Sequence, residues 1–520
     1  MIFATNAPIQ KVLHISVTVL FFISLLSGLR LAFDNPYMSQ TILEWPILPQ
    51  GNVYLWHEIS AYFWLSIVAF ATFAFIKRKK PKKLANKKRQ LVINTLYIII
   101  LLQCISGTLV YAFPTLFTAI MLPLHFFLGL ALLAIVIIHI GEQLIKRSLT
   151  FVINMFMLKK LNRYGLTALT LIGLISAGLY YQQHYFHTKL IANKIPLEVD
   201  IRVDGKFDEP IWQHASSATV YANQGNDYFT ATPIEVKMLH NGLSAYFAIR
   251  WKDESPSYSH LPLIKTANGW QAQHNGFAKD DERTFYEDKF ALMLSKQSGL
   301  AGAYSIHLGK KPLDDKPASR SGRGFHYTLD NEVRDVWHWK AVRVERMSYL
   351  DDNHFTSPAV ACEACPRYKA GYDTDPKDSG AFRANWQWFL PNGVTPLRLP
   401  IATSPADLGQ LANQANMSWF ETIPYTKAQD NLPIGTRLPS VLTYEGFEGD
   451  RANVAAKGHY QDGYWHLELS RNLVTESAFD LPLQSDIYLW MVTFDHAQSR
   501  HNYHLKPLKL QLQQHIEEQS

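Results

Sequence analysis

The sequence predicts a multi-domain chain: an α-helical transmembrane bundle of about five spans, followed by an all-β sandwich domain. Three observations carry that expectation. Residues 1 to about 187 are mostly apolar runs of helix length separated by basic clusters. From about 195 the hydrophobic period switches to two, in short strands divided by DG, NG and SG turns. Four histidines, His14, His57, His125 and His139, lie inside the apolar runs, where an ionisable side chain is costly and rarely idle. The 520 residues suffice for two or three domains. We divide them into a membrane part over 1–150, a cytoplasmic loop and fifth helix over 151–190, and a soluble domain over 191–520.

The spans run about 12–33, 53–76, 91–112, 117–145 and 165–183. The first is too long for a removed signal peptide and lacks a small-residue cleavage site. The 77–90 loop is densely basic, and the 146–164 loop carries Lys146, Arg147, Lys159, Lys160 and Arg163. The 34–52 loop and the 113–116 turn carry no Lys or Arg. That asymmetry places the N-terminus and both basic loops in the cytoplasm. Five crossings then put the C-terminal domain across the membrane, which in a bacterial inner membrane is the periplasm. The block KRKKPKKLANKKR from Lys77 to Arg89 also fits nucleic-acid binding on charge alone. Apolar spans on both sides make it a cytoplasmic loop, and no nucleic-acid partner is expected.

His14 lies near the cytoplasmic start of the first span and His57 near the periplasmic start of the second. His125 and His139 share the fourth span. Fourteen helical residues rise about 21 Å and return to within roughly 40° in rotation, so both face one groove at two depths. His14 matches His139 in depth, and His57 matches His125. Each pair can ligate one iron from opposite sides, giving two six-coordinate haems, an arrangement suited to electron transfer rather than oxygen chemistry. Gly28, Gly107 and Gly129 allow close approach of a flat macrocycle. Arg30 reads either as a partner for a haem propionate or as a snorkelling boundary residue.

These features resemble the bacterial cytochrome b561 family and the membrane cytochrome b subunits of nickel-iron hydrogenases and formate dehydrogenases. The resemblance covers residues 8 to about 148. It rests on His14 in KVLHISV, His57 in LWHEISAYF, and His125 and His139 in LPLHFFLGLALLAIVIIHIGE. It implies two b haems on those four histidines, with quinone exchanging electrons near one of them.

In the soluble part, EVDIRVDG, PIEVKMLHNG, LSAYFAIRW, DKFALMLS, YWHLELS and IYLWMVTFD alternate as strands. No helical pattern alternates with them, so an antiparallel sandwich is expected over a parallel α/β sheet. Residues 310–332 read as a long loop. Of three cysteines, Cys104 sits in an apolar run as a small core residue, while Cys362 and Cys365 form a C-x-x-C. Pro366 follows, so this is not the C-x-x-C-H of covalently attached haem. A local disulfide suits an exported domain. A catalytic redox pair lacks the surrounding βαβ pattern.

The segment IRVDGKFDEPIW is similar to the opening of the ethylbenzene dehydrogenase gamma-subunit-like haem domain, and also to family-nine carbohydrate-binding modules. YEDKFALML, DVWHWKAVR and FDHAQSRHNYHLKPLKL resemble the haem-binding group. That resemblance implies a b haem in the sandwich with methionine and lysine as axial ligands. Some members fused to b561-like parts instead carry C-x-x-C-H before the WHWKA motif. Here the corresponding stretch is Ala303-Tyr304-Ser305-Ile306-His307, with the cysteines absent. A further haem b would therefore be non-covalent. Its candidate ligands are His307, Lys340 and Met293, with His338 and His504 as weaker ones. Each has a plainer role open to it: core packing for Met293, a surface cation against Trp337 or Trp339 for Lys340, a solvated loop for His307.

The reading that joins these parts is an inner-membrane di-haem cytochrome b passing electrons between the quinone pool and a periplasmic redox partner. It is an electron-transfer protein rather than an enzyme with its own substrate. Two alternatives stand beside it: the membrane anchor of a larger periplasmic oxidoreductase, and a membrane-anchored carbohydrate-binding or sensor module.

Overall fold

The structure, a computed structural model, describes residues 8–32, 53–76, 87–112, 116–147, 163–225, 232–277, 282–299, 306–307, 325–326, 328, 330–356, 372–390, 393–401 and 404–514. It divides into two compact units, the first ending at His187 and the second opening at Thr188.

Among the described residues the first unit has five helices: α1 (Pro8–Ala32), α2 (Val53–Ile76), α3 (Lys87–Ala112), α4 (Leu116–Arg147) and α5 (Arg163–Tyr185). At about 1.5 Å per residue each is long enough to cross a hydrocarbon layer of about 30 Å. Three of them, α1, α3 and α4, also meet that requirement in composition, with apolar windows His14–Ala32, Asn94–Tyr111 and Ile120–Ile145. α5 carries a shorter apolar stretch, Leu169–Gln182. α1 packs along α2, α3 along α4, and α2 against α5. Lipid gives helices no hydrophobic reason to associate, so polar contacts between them matter more. Ser24 and Ser60 meet at 2.7 Å between α1 and α2. Thr72 and the Tyr97 hydroxyl meet at 2.6 Å between α2 and α3. Ser66 and Ser176 meet at 3.0 Å between α2 and α5.

The second unit is organised by one 14-stranded sheet. Its strands are β1 (Thr188–Lys194), β2 (Ser217–Ala222), β3 (Gln224–Gly225), β4 (Thr232–His240), β5 (Ser244–Lys252), β6 (Lys289–Ser295), β7 (Arg334–Lys340), β8 (Asp351–Phe355), β9 (Tyr372–Thr374), β10 (Ala455–Gln461), β11 (Tyr464–Asn472), β12 (Tyr488–Phe494), β13 (Asn502–Tyr503) and β14 (Leu508–Leu512). The main path runs β9-β8-β7-β6-β12-β14-β1-β4-β5-β11-β10, with β2 paired to β4. The two ends of this path face each other. Phe247 of β5 packs edge-on against Trp337 of β7, Trp251 stacks on Phe290 of β6, and Trp339 meets Trp465. These aromatics share one buried core with Leu292, Leu294, Leu467, Leu489 and Leu508. Burying each large ring stabilises the fold by several kcal/mol, at about 25 cal/mol per Å². Two of the indoles have their polar ends held: Trp339 Nε1 donates to Glu345 at 2.7 Å and Trp465 Nε1 to Asp288 at 3.2 Å. Gly458 is required beside them, since a Cβ there would stand 2.3 Å from the Trp339 ring.

Five of the six expected strands form where the alternation places them, in β4, β5, β6, β11 and β12. EVDIRVDG does not. Residues 198–205 run without regular structure, and Gly205 adopts φ +83°. Glu468 captures the N–H groups of Asp204 and Gly205 at 2.8 and 2.7 Å, which bends the segment into a turn instead of a ladder. The first strand is the less alternating TKLIANK of β1. It pairs in parallel with both β14 and β4, so among the described residues this sheet is antiparallel except at this junction. Cys362, Cys365 and residues 310–324, 327 and 329 of the expected loop lie outside the described residues.

Candidate functional site

The membrane histidines meet in the pairs expected from depth. His57 of α2 and His125 of α4 have ring centroids 6.2 Å apart, with planes at 87°. His14 of α1 and His139 of α4 lie close enough to interact electrostatically. The surroundings of His57 and His125 repeat one device. Ser27 Oγ lies 2.9 Å from His57 Nδ1, and Ser106 Oγ lies 3.0 Å from His125 Nδ1. Each serine hydroxyl also donates to a main-chain carbonyl one turn back, Ile23 at 2.5 Å and Gln103 at 3.1 Å. Its oxygen is then left to accept from Nδ1–H. That fixes the tautomer and turns the Nε2 lone pair towards any metal, as partners of metal-bound histidines do. The Gln103 amide donating to His125 Nε2 at 3.2 Å agrees with this tautomer.

The next residue completes the device. A Cβ at Gly28 would stand 3.1 Å from His57 Cε1, and one at Gly107 would stand 2.9 Å from His125 Cε1. The dipeptide Ser-Gly thus occurs on α1 and on α3, each time with serine holding an imidazole and glycine making room for it. Gly129 faces Gln103 rather than a histidine. Arg30 is buried near the end of α1. A carboxylate that the sequence reading passed over, Glu58, stands next to His57. Its Oε1 accepts from the Tyr62 hydroxyl at 2.5 Å and the Tyr111 hydroxyl at 2.7 Å, joining α2 to α3. The signal for it was present, because an acidic residue in an apolar span is itself a functional marker.

In the soluble unit the pleat of β7 sends Trp337 and Trp339 into the core and His338 and Lys340 to the opposite face. Met293 of β6 shares that outer face, half-buried, opposite Val336 and Trp490. His338 is opposite Ala291 and stacks on Phe494 with ring centroids 5.4 Å apart. Its Nε2 is buried with no hydrogen-bond partner among the described residues. Burial and the cations Lys340, Lys289 and Arg343 hold it well below the usual imidazole range, so it is neutral. Lys340 is no surface cation on a tryptophan. It is buried and ion-paired with Asp351, which also holds Arg451 at 2.5 Å. Burial lowers Lys340 to about 8 against the pull of Asp351. His504 has both nitrogens engaged, Nε2 accepting from Met491 N at 2.8 Å and Nδ1 donating to the Lys506 carbonyl at 2.7 Å, which leaves no donor for a metal. His307 pairs through its main chain with Phe325 in a short ladder, and its side chain lies outside what is described.

Comparison with known proteins adds the family. A family model for prokaryotic cytochrome b561 matches residues 7–155, and one for ethylbenzene dehydrogenase matches residues 209–506. No curated protein matches. Among solved structures, a putative carbohydrate-binding protein from Bacteroides uniformis is 9% identical, covering 63% of this chain and 100% of that one, with a TM-score of 0.26. A family-9 carbohydrate-binding module from Caldicellulosiruptor kristjanssonii in complex with glucose is 8% identical, covering 63% and 96%, with a TM-score of 0.23. The same module with cellotriose is 8% identical, covering 62% and 93%, with a TM-score of 0.22. These scores carry neither fold nor binding function to this chain.

The b561 match makes the first unit an integral membrane cytochrome b, a family that holds haem b and works in electron transfer. The residues present fit that group. Two imidazoles on one metal, each with a nitrogen–metal bond of about 2 Å and roughly 1 Å more to its ring centre, stand about 6 Å apart, close to the 6.2 Å of His57 and His125. The chain belongs to the ethylbenzene dehydrogenase family and carries a prokaryotic cytochrome b561 part ahead of that domain.

Proposed function

We propose that this protein is a di-haem cytochrome b of a bacterial inner membrane, passing electrons between the quinone pool and a periplasmic redox protein or oxidoreductase subunit. The observation that carries the reading is the set of four histidines in two pairs, one of them braced by matching Ser-Gly dipeptides. His57 and His125 hold one haem b and His14 and His139 the other. Ser27 and Ser106 fix the ligating tautomer, and Arg30 neutralises a propionate. Bound haem supplies one-electron chemistry. The protein's own contribution is to orient the donors and to keep them in an apolar surround. An apolar groove of about 570 Å³ between α2 and α3, lined in part by Leu65, Phe73, Cys104 and Ile105, suits the tail of a quinone.

All five helices cross the bilayer in this proposal, with the N-terminus and both basic loops cytoplasmic and the sandwich periplasmic. The membrane carrier occupies 1–150, a loop and fifth helix 151–190, and the periplasmic domain 191–520. A third, non-covalent haem b belongs to the outer face of β6 and β7. His307 and Met293 are candidate donors, the unpartnered Nε2 of His338 adds a stronger one, and Lys340 is the weakest candidate because Asp351 already holds it. Haem counting on the purified full chain tests the core of this reading. His125→Ala and His139→Ala should each remove one membrane haem and leave the other. A chain with no haem in its membrane part, or two substitutions that remove nothing, would overturn it.

A further inference from the structure

Away from every residue discussed as a haem donor, the inner edge of the sandwich gathers four aspartates. Asp335 of β7 and Asp352 of β8 are 0% exposed, and Asp375, just past β9, is 2% exposed. Asp480, between β11 and β12, completes the group. Ligating oxygens of Asp335, Asp352 and Asp480 lie within 4.8 Å of one another. Asp375 is near enough to repel both Asp352 and Asp480.

The hydrogen bonding is divided in the same way at every carboxylate. Asp335 Oδ2 accepts from Arg471 at 2.7 Å and from Leu481 N at 3.0 Å. Asp352 Oδ1 accepts from Asn353 N at 3.0 Å. Asp375 Oδ1 takes His354 Nδ1 at 2.5 Å. Asp480 Oδ2 accepts from Asn453 Nδ2 and Thr475 Oγ1, both at 2.6 Å. The second oxygen of each one, Asp335 Oδ1, Asp352 Oδ2, Asp375 Oδ2 and Asp480 Oδ1, is buried with no hydrogen-bond partner among the described residues. So is the amide oxygen of Asn453, whose Nδ2 is bound to Asp480.

Leaving a buried carboxylate oxygen unpaired is expensive, and leaving four together is far more so. Among the described residues the basic side chains that reach the cluster are Arg471, 2.7 Å from Asp335 and 3.6 Å from Asp480, and His354 on Asp375. They do not balance four buried carboxylates. One oxygen per residue held by protein donors and the other left open is the arrangement of ligands oriented around a cation. All the open atoms are hard oxygens, one of them a neutral amide. Zinc prefers nitrogen and sulfur, and magnesium is usually held by one or two carboxylates while keeping several waters of its own, whereas calcium takes six to eight oxygens in flexible geometry and suits four carboxylates with an amide.

We propose that Asp335, Asp352, Asp375, Asp480 and Asn453 form a structural calcium site. It ties strands β7 and β8 to the end of β9, to the turn at 450–453 and to the loop before β12. Phe479 stacks on His354 with ring centroids 4.0 Å apart and screens the site.

The test uses the full chain in detergent, stripped with a chelator and dialysed. Calcium content is measured by elemental analysis and unfolding by tryptophan fluorescence, with calcium, magnesium or chelator added. One calcium should rebind per chain and raise the melting temperature of the sandwich, with magnesium much less effective. Asp352→Asn and the more peripheral Asp480→Asn should lose both the calcium and the shift. Asp480→Asn should keep a cooperative tryptophan unfolding transition in chelator, which shows that the sandwich still folds. Wild-type protein that binds no calcium and melts identically with calcium or chelator would overturn the proposal. So would Asp352→Asn and Asp480→Asn proteins that retain the shift. If Asp352→Asn raises the melting temperature in chelator while the wild type ignores calcium, the cluster is a proton-sharing carboxyl group and no metal site.

Discussion

Replacing Gly107 with alanine adds one methyl group on α3 and leaves every histidine in place. The new Cβ would stand 2.9 Å from His125 Cε1 and 3.3 Å from its Nδ1. Ordinary contact begins near 3.4 Å, so the ring must retreat by about 0.5 Å, through the Ser106 hydrogen bond that orients it. Functional geometry is usually held to about that tolerance. Disturbing a partner that orients a metal-bound histidine typically costs 10–100-fold in affinity, or about 1.4–2.8 kcal/mol. The expected result is loss or high-spin conversion of the haem on His57 and His125, with the haem on His14 and His139 intact. Pyridine haemochrome counts and the low-spin absorption of the purified chain read both. Gly141→Ala on α4 is the control, because its Cβ meets nothing within 4 Å, and Gly129→Ala meets only Gln103 Nε2 at 3.5 Å. Alanine also favours a helix over glycine by about 1 kcal/mol, so a general loss of folding is not expected. A Gly107→Ala protein with the wild-type haem count and spectrum would refute the reasoning.

Three further outcomes follow from the same structure. An alkaline phosphatase fusion at residue 300 should be active and one at residue 86 inactive; the reverse pattern would invert the proposed topology. In the soluble unit, His338→Ala or Met293→Leu should change the low-spin spectrum of a third haem. Lys340→Ala should leave that spectrum alone and lower the melting temperature, because it leaves the buried Asp351 with Arg451 as its one remaining cation among the described residues; a spectral change there with the fold intact would restore Lys340 as a ligand. Burial raises Glu468 from 4.5 to about 7, against the pull of its two hydrogen bonds. Its folded-state pKa lies above its unfolded one, so its contribution to stability is present at acid pH and is lost as pH rises from about 4.5 through 7. Glu468→Gln should therefore raise the melting temperature at pH 8 and change it little near pH 4. Equal effects at both pH values would contradict this.

Some of this protein is written in local pattern. Apolar length placed helices α1 to α5, and a period of two placed β4, β5, β6, β11 and β12, because each element buries its own face with its own residues. The four histidines were legible for a related reason, since rise and rotation along one helix set the two depths of His125 and His139 before any packing is known. Local pattern failed at EVDIRVDG, where alternation promised a strand. The backbone is bent there by Glu468, a residue some 260 positions away. It also missed that Ser27 and Ser106 brace the histidines, although the repeated Ser-Gly was visible, because nothing in a sequence says which faces of α1 and α3 meet α2 and α4. The same holds for the four aspartates, spread from 335 to 480. Each is unremarkable in its own segment, and only sheet pairing and a folded-over loop bring their carboxylates near one another. What the sequence by itself determined was whatever depends on spacing along one element: helices, strands and the separation of His125 and His139 along α4. The tertiary structure alone decided which side chain satisfies which, because hydrogen-bond and charge partners come from elements distant in the chain.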